Sequence, residues 1–166
     1  MEPLWAPWRM EFIEREQPQG CIFCLFPAET GEGADPRNLI LGRSRHSFAL
    51  LNKYPYNNGH LMVVPRRHTA DFAGLEAEES ADLHRLLQLA VSIVGEAYRP
   101  EGMNLGMNLG KSAGAGIPGH LHYHLVPRWT GDTNFMPVLS GTKVMIEHLS
   151  QSYEKLRPLF DRHLEG

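Results

Sequence analysis

The 166-residue chain predicts one α+β domain, residues 1–166, in which an antiparallel sheet of about five short strands carries its helices on one side. Three observations lead there. The apolar runs are short and are separated by polar or glycine-rich turns, as strands joined by tight connections are. One long stretch instead repeats its apolar residues with helical spacing. The order of segments, strands then helix then strands then helix, lacks the regular alternation that builds a parallel sheet.

Residues 1–38 are rich in Pro, Gly and acidic side chains, with Trp5, Trp8, Phe12 and Ile13 as isolated anchors, so an irregular arm is expected there. Leu39–Gly42 and Ser47–Asn52 read as a hairpin across the polar turn Arg43-Ser44-Arg45-His46. After the loop Lys53–Gly59, the run Leu61-Met62-Val63-Val64 is a buried strand ended by Pro65. From Leu75 to Tyr98, the residues Leu83, Leu86, Leu87, Ala90, Val91 and Val94 fall on one helical face. Glu76, Glu78 and Glu79 occupy its first turn, where the helix dipole favours negative charge, and Pro100 follows its end.

Residues 103–109 return to strand, and the glycine-rich loop Gly110–Gly119 leads into His120-Leu121-His122-Tyr123-His124. On extended backbone successive side chains point to opposite faces, so the three imidazoles line one surface while Leu121, Tyr123 and Leu125 back the other. A last helix over 143–164 carries Met145, Leu149, Tyr153, Leu156 and Phe160 on one side, and Pro158 is expected to kink or end it. Five strands leave open edges. Pairing edges across a two-fold axis removes that liability, and a homodimer is expected.

Composition narrows the function. A formal net charge of -3 and a pI near 6.3 disfavour a general nucleic-acid binder, and Arg66-Arg67 reads as ordinary surface. No apolar stretch approaches the roughly 18 residues needed to span a bilayer, and Glu2 and Glu11 stand where a signal would be basic and then apolar. A cytoplasmic chain with neither membrane nor nucleic-acid partner is expected. In a reducing compartment two cysteines favour metal binding or thiolate chemistry over a structural disulfide.

Cys21-Ile22-Phe23-Cys24 has the spacing that lets two thiolates meet one tetrahedral Zn²⁺; inert thiols and a redox pair are the other readings, the latter lacking its strand-then-helix context. With no second cysteine pair, a closed site needs two histidines. His68, just after the strand-ending Pro65-Arg66-Arg67, and His120 are the candidates. His84, His148 and His163 sit on helices as solvated surface residues.

His120-Leu-His-Tyr-His124, followed by Leu125-Val126, resembles the signature of the histidine triad (HIT) superfamily of nucleotidyl hydrolases and transferases. Cys21–Cys24, the stretch Asn57-Asn-Gly-His60-Leu-Met-Val-Val-Pro65, His68 and Asn108 occur in the family's order. Leu51–Tyr56, Pro127-Arg-Trp129 and Gly131–Phe135 are similar to the bacterial branch related to diadenosine tetraphosphate (Ap4A) phosphorylases. The resemblance implies a HIT-like fold, a structural Zn²⁺ without an organic cofactor, and an adenine nucleotide or dinucleoside polyphosphate as substrate. His122 is implied as the nucleophile that attacks the α-phosphorus and carries a nucleotidyl group, later resolved by water or phosphate. By the same resemblance, His124 contacts the phosphate and assists the leaving group with His60 beside it. Asn108, with the backbone of Gly114 and Gly116, would bind phosphate, and Asn52, at a position acidic in the family, would bind a ribose hydroxyl.

The chain departs from many relatives at Gly116-Ile117-Pro118-Gly119, where a hydroxyl residue is expected; Lys111 and Ser112 are the neighbouring replacements, and phosphorolysis and hydrolysis both stay open. Three other readings compete. A metallohydrolase holding a catalytic Zn²⁺ on the three strand histidines leaves Cys21 and Cys24 idle and lacks a visible general base. A non-catalytic nucleotide-binding module predicts that losing His122 has no effect. A purely structural triad buries all three rings in a core.

Overall fold

The computed structural model describes residues 20–132 and 147–164. The aromatic anchors of the first 19 residues and the expected helix start near Lys143 lie outside them. The elements are α1 (Ile22–Ala28), α2 (Ala34–Asn38), β1 (Ile40–Arg43), β2 (Ser47–Leu51), β3 (Leu61–Pro65), α3 (Ala77–Tyr98), β4 (Gly102–Met107), β5 (Tyr123–Arg128) and α4 (Leu149–Leu164). Among the described residues no helix is long and apolar enough to cross a membrane.

The five strands form one antiparallel sheet in the order β1-β2-β3-β5-β4. β2 and β3 are buried along their whole length, which explains why both read as near-continuous apolar runs rather than alternating ones. Their side chains divide between two cores. Leu41, Ala49, Leu51, Leu61, Val63 and Leu125 pack under α3 and α4, whereas Ile40, Phe48, Leu50, Met62 and Val64 pack with Phe23 on the opposite face. The long helices thus lie on one side, as expected, but the second face is covered too, by α1.

That cover corrects the reading of an irregular arm over residues 20–38. α1 and α2 are one or two turns long, too short to be stable alone, and Pro27 lies inside α1. Phe23 anchors α1 in the second core, and Asp35 of α2 receives both terminal nitrogens of Arg43 at 2.6 Å and Arg157 at 2.9 Å. These guanidinium groups hold the Asp35 carboxyl below the usual carboxylate range. Tertiary contacts, not local propensity, make these helices.

Of the two effects expected of Pro158, a kink or an end, the end does not occur, because α4 runs through it from Leu149 to Leu164. The ring removes one backbone bond, but Leu156 and Phe160 are fully buried and Arg157 bridges Asp35, Asp161 and the Ile40 carbonyl, which together hold the helix across the proline. α4 approaches β1 so closely that a Cβ on Gly42 would run into Leu164 and Phe160. α3 starts at Ala77 rather than Leu75, with a capping box between Glu76 and Glu79. Asp82 of α3 accepts hydrogen bonds from the Ser44 hydroxyl at 2.6 Å and the His46 amide at 3.1 Å, fastening the β1–β2 turn. Arg67 forks onto Glu79 at 2.8 and 2.7 Å, and Arg66 donates to the Ser44 carbonyl, so both arginines serve the surface.

Candidate active site and metal-ligand cluster

Cys21 is the N-cap of α1 and Cys24 lies in its first turn, a spacing that turns both sulfurs to one side of the helix. Cys21, Cys24, His68 and His120 bring one ligand atom each within 4.8 Å of one another. The His120 Nδ1 lies 3.3 Å from the Cys21 Sγ and 3.6 Å from the Cys24 Sγ, and the His68 Nδ1 lies 3.3 Å from the Cys24 Sγ. A tetrahedral zinc with ordinary Zn–S and Zn–N lengths has S···N edges of about 3.5 Å, so the donor set and its spacing fit that ion. The Nε2 of His120 donates to the Pro65 carbonyl at 2.8 Å, leaving its Nδ1 lone pair on the cluster.

The histidine segment is not strand throughout. β5 begins at Tyr123, and its last pair with β3 is Val63–Tyr123. β3 ends at Pro65, and there the His120 ring, bonded to the Pro65 carbonyl, and the Leu121 amide, donating to Thr69 O at 2.8 Å, take over the pairing. The rings still share the Phe23 face: His124 stands opposite Met62, and Phe23 meets His120 edge-on at 5.4 Å and His122 at 5.0 Å.

The proton positions follow from the partners. His122 Nδ1 lies 2.8 Å from the His120 carbonyl, which only accepts, so Nδ1 carries the proton and Nε2 the lone pair. His60 is fully buried, and its Nδ1 accepts the Tyr56 amide N–H at 3.0 Å. The neutral ring therefore holds its proton on Nε2 and donates it to the His124 Nδ1, 3.0 Å away. His124 is left with its proton on Nε2. The site contains one imidazole with a lone pair next to one with an outward N–H donor.

Burial keeps these rings neutral. It pushes the His122 imidazole below its ordinary value despite the opposing bond to the His120 carbonyl. It pushes His124 down to about 4, with His122 adding to the shift. A neutral imidazole at neutral pH needs no base before it attacks.

Comparison with known proteins bears on what this arrangement is. The HIT domain family model matches residues 35–131. The chain belongs to the HIT family. It is 39% identical over 150 residues, 87% of this chain and 77% of the relative, to an AP-4-A phosphorylase of Mycobacterium tuberculosis. A crystal structure of a hypothetical histidine triad nucleotide-binding protein from Sulfolobus tokodaii superposes with a TM-score of 0.65 at 28% identity, covering 87% of this chain and 92% of that one. A zinc-bound histidine triad family protein from Mycobacterium smegmatis, 23% identical, has the same fold, with a TM-score of 0.65 over 86% of this chain and 94% of that one.

Within this HIT domain the predicted residues fall into two groups that share His120 and Phe23. Cys21, Cys24, His68 and His120 form the first. His122, His124 and His60 form the second, with Asn52 Nδ2 3.4 Å from the His60 Nε2 and its Oδ1 accepting the Tyr54 amide at 2.9 Å. The glycine loop differs in one respect from the expected phosphate cradle. The Gly114 amide donates to the Lys111 carbonyl at 2.9 Å to close the turn and the Ala115 amide bonds Gly110, so of the two expected glycine donors Gly116 is the one outside those turn bonds. Asn108 donates to the Gly114 carbonyl at 3.4 Å.

Two contributors escaped the sequence reading. Tyr56 supplies the amide that sets the His60 proton, and its ring stacks on His60 at 4.9 Å. Asp132 gathers Asn57, Arg128 and the Trp129 amide, tying the loop before His60 to the end of β5. Neither a backbone amide nor a long-range carboxylate clip leaves a spacing signal.

The depressed imidazoles set a pH dependence. The unfolded chain takes up protons as the pH falls below about 6.5, whereas folded His124 does so only near 4, so folding loses this contribution as the pH drops from about 6.5 toward about 4. Tm is expected to fall between pH 7 and pH 5, with a shallower slope in His124→Asn. A Tm that holds steady or rises across this range would show that these rings are not buried neutral.

Proposed function

We propose that this HIT protein is a nucleotidyl hydrolase or transferase that attacks the α-phosphorus of adenine nucleotides, with dinucleoside polyphosphates such as Ap4A as its substrate class. The observation that carries the reading is the proton arrangement: His122 Nδ1–H bound to the His120 carbonyl with a lone pair on Nε2, beside a His124 whose Nε2 carries a proton. The Nε2 lone pair of His122 forms a bond to the α-phosphorus as the bond to the departing phosphate oxygen breaks in line, and that oxygen takes the electron pair. His124 Nε2–H donates a hydrogen bond to the phosphate and to the oxygen that leaves. Water or inorganic phosphate then attacks the nucleotidyl-histidine and returns the lone pair to Nε2. The identity to the Mycobacterium tuberculosis AP-4-A phosphorylase supports the substrate class.

Asn108 and the Gly116 amide are the phosphate donors in this reading, and Gly114, with φ +85°, turns the loop. Asn52 keeps a second lone pair on its amide oxygen for a ribose hydroxyl. Cys21, Cys24, His68 and His120 would hold a structural Zn²⁺, which when bound supplies a fixed cross-link between α1, the segment after β3 and the histidine segment. The paired thiols suit a reducing, cytoplasmic compartment.

We also infer a homodimer joined through β4. This edge strand is exposed along most of its length, and Leu105 and Leu109 are about half exposed, a combination that invites pairing with a second copy.

Four outcomes are expected. His122→Ala stays folded and loses at least about 10⁴-fold in turnover, the scale of losing a nucleophile. Wild type incubated with Ap4A forms an acid-labile phosphoramidate on His122 and yields ATP plus ADP with inorganic phosphate or ATP plus AMP without it. Two ADP from one Ap4A would place attack on the central phosphates and end this assignment. Metal analysis of the purified chain returns one zinc per protomer, and Cys24→Ala loses both the metal and thermal stability. A Cys24→Ala protein with unchanged zinc would remove the tetrad. Sedimentation finds a dimer that Leu105→Asp converts to monomers; a monomeric wild type removes the edge-pairing model.

A further inference from the structure

The cysteine pair brackets an aromatic residue that no part of the reading above uses. Phe23 is 1% exposed and belongs to the core that Ile40, Phe48, Leu50, Met62 and Val64 form on the catalytic face. It differs from those neighbours in what it touches at its other end. Its ring meets the His120 imidazole edge-on, at 5.4 Å and 78°, and lies tilted at 47° against the His122 imidazole, 5.0 Å away.

The nucleophile needs such a partner. The bond to Cβ and the hydrogen bond from Nδ1 to the His120 carbonyl fix one edge of the His122 ring and leave the opposite edge, with Nε2, to tilt about it. His124 bounds that swing edge-on, with ring centroids 4.9 Å apart and planes at 74°. Phe23 supplies another boundary, and among the described residues these are the two rings packed against His122. An attacking nitrogen displaced by about 1 Å costs about 10²-fold in rate, so a boundary of this kind matters to chemistry more than to affinity.

We propose that Phe23 is a positioning residue for the nucleophile: held in α1 between Cys21 and Cys24, its ring clamps the His122 imidazole against His124 and so fixes where Nε2 stands. α1 is thereby part of the active site as well as a lid on the second core. The kinetic arm of this inference rests on the proposed covalent route through His122; the spectroscopic arm does not.

Two variants and two measurements test it in the full-length protein. With histidine labelled in its ring nitrogens, the hydrogen-bonded His122 Nδ1–H gives a slowly exchanging downfield resonance, identified by its loss in His122→Ala. Phe23→Leu keeps most of the buried volume and removes the flat face. It is expected to bind zinc as wild type does, to broaden or lose that resonance, and to lower the single-turnover rate of nucleotidyl-His122 formation from Ap4A about tenfold, with KM within about threefold. Phe23→Ala is expected to lose about 10²-fold in the same step. A folded Phe23→Leu with the resonance unchanged and a wild-type rate overturns the clamp and leaves Phe23 as a core residue alone. So does a variant whose only defect is a lower Tm. Because the resonance needs no substrate, it reports on the clamp even if wild type fails to turn over Ap4A, a result that would count against the substrate assignment instead.

Discussion

The hydrogen bond from the His122 ring to the His120 carbonyl joins two halves of this molecule that would otherwise be unrelated. His120 is committed at three points: its Nδ1 faces the cysteine sulfurs, its Nε2 donates to the carbonyl that ends β3, and its own carbonyl orients the neighbouring imidazole. Each commitment fixes the others, because a ring bound at both nitrogens sets the plane and position of its backbone. The tautomer of His122, on which the proposed nucleophilic attack depends, is thus a consequence of where the sheet ends and where the cysteines sit.

This requirement explains why both faces of so small a sheet are covered. Among the described residues one face takes α3 and α4, while the other takes α1, Ile117 and the histidines. The face that carries the histidines is therefore partly a core. His60, His120 and His122 are as deeply buried as the leucines beside them, and burial in turn pushes the His120 and His122 imidazoles below their ordinary values. Packing and reactivity have a common cause.

Much of this was readable from the chain because the signals were strong and local. The apolar runs of β2 and β3, the helical spacing of Leu83 to Val94, the alternate histidines and the cysteine pair with His68 and His120 each name their structure through a period or a ligand chemistry. What escaped depended on distant partners. α1 and α2 exist because Phe23 finds a core and Asp35 finds two arginines, neither of which a window of Pro, Gly and Glu reveals. Pro158 reads as a kink or an end, and the burial of Leu156 and Phe160 carries the helix past it. The Gly114 amide looked available because its glycine suggested a cradle, yet the turn it makes uses that amide. Phe23 had no distinguishing mark at all, since an aromatic inside a cysteine pair is indistinguishable from any other core residue until its neighbours are known.

The junction between α4 and β1 has a consequence for how the chain reaches this state. Asp35 and Arg157 are 122 positions apart, and the strand that Phe160 covers is the first of the sheet, while β5 inserts between β3 and β4 after every other strand has been made. During synthesis the emerging hairpin of β1 and β2 must wait, with an apolar side open to water, until α4 has also left the ribosome. Such long-range closure favours slower folding than in a helical bundle of equal length and leaves apolar surface exposed for longer.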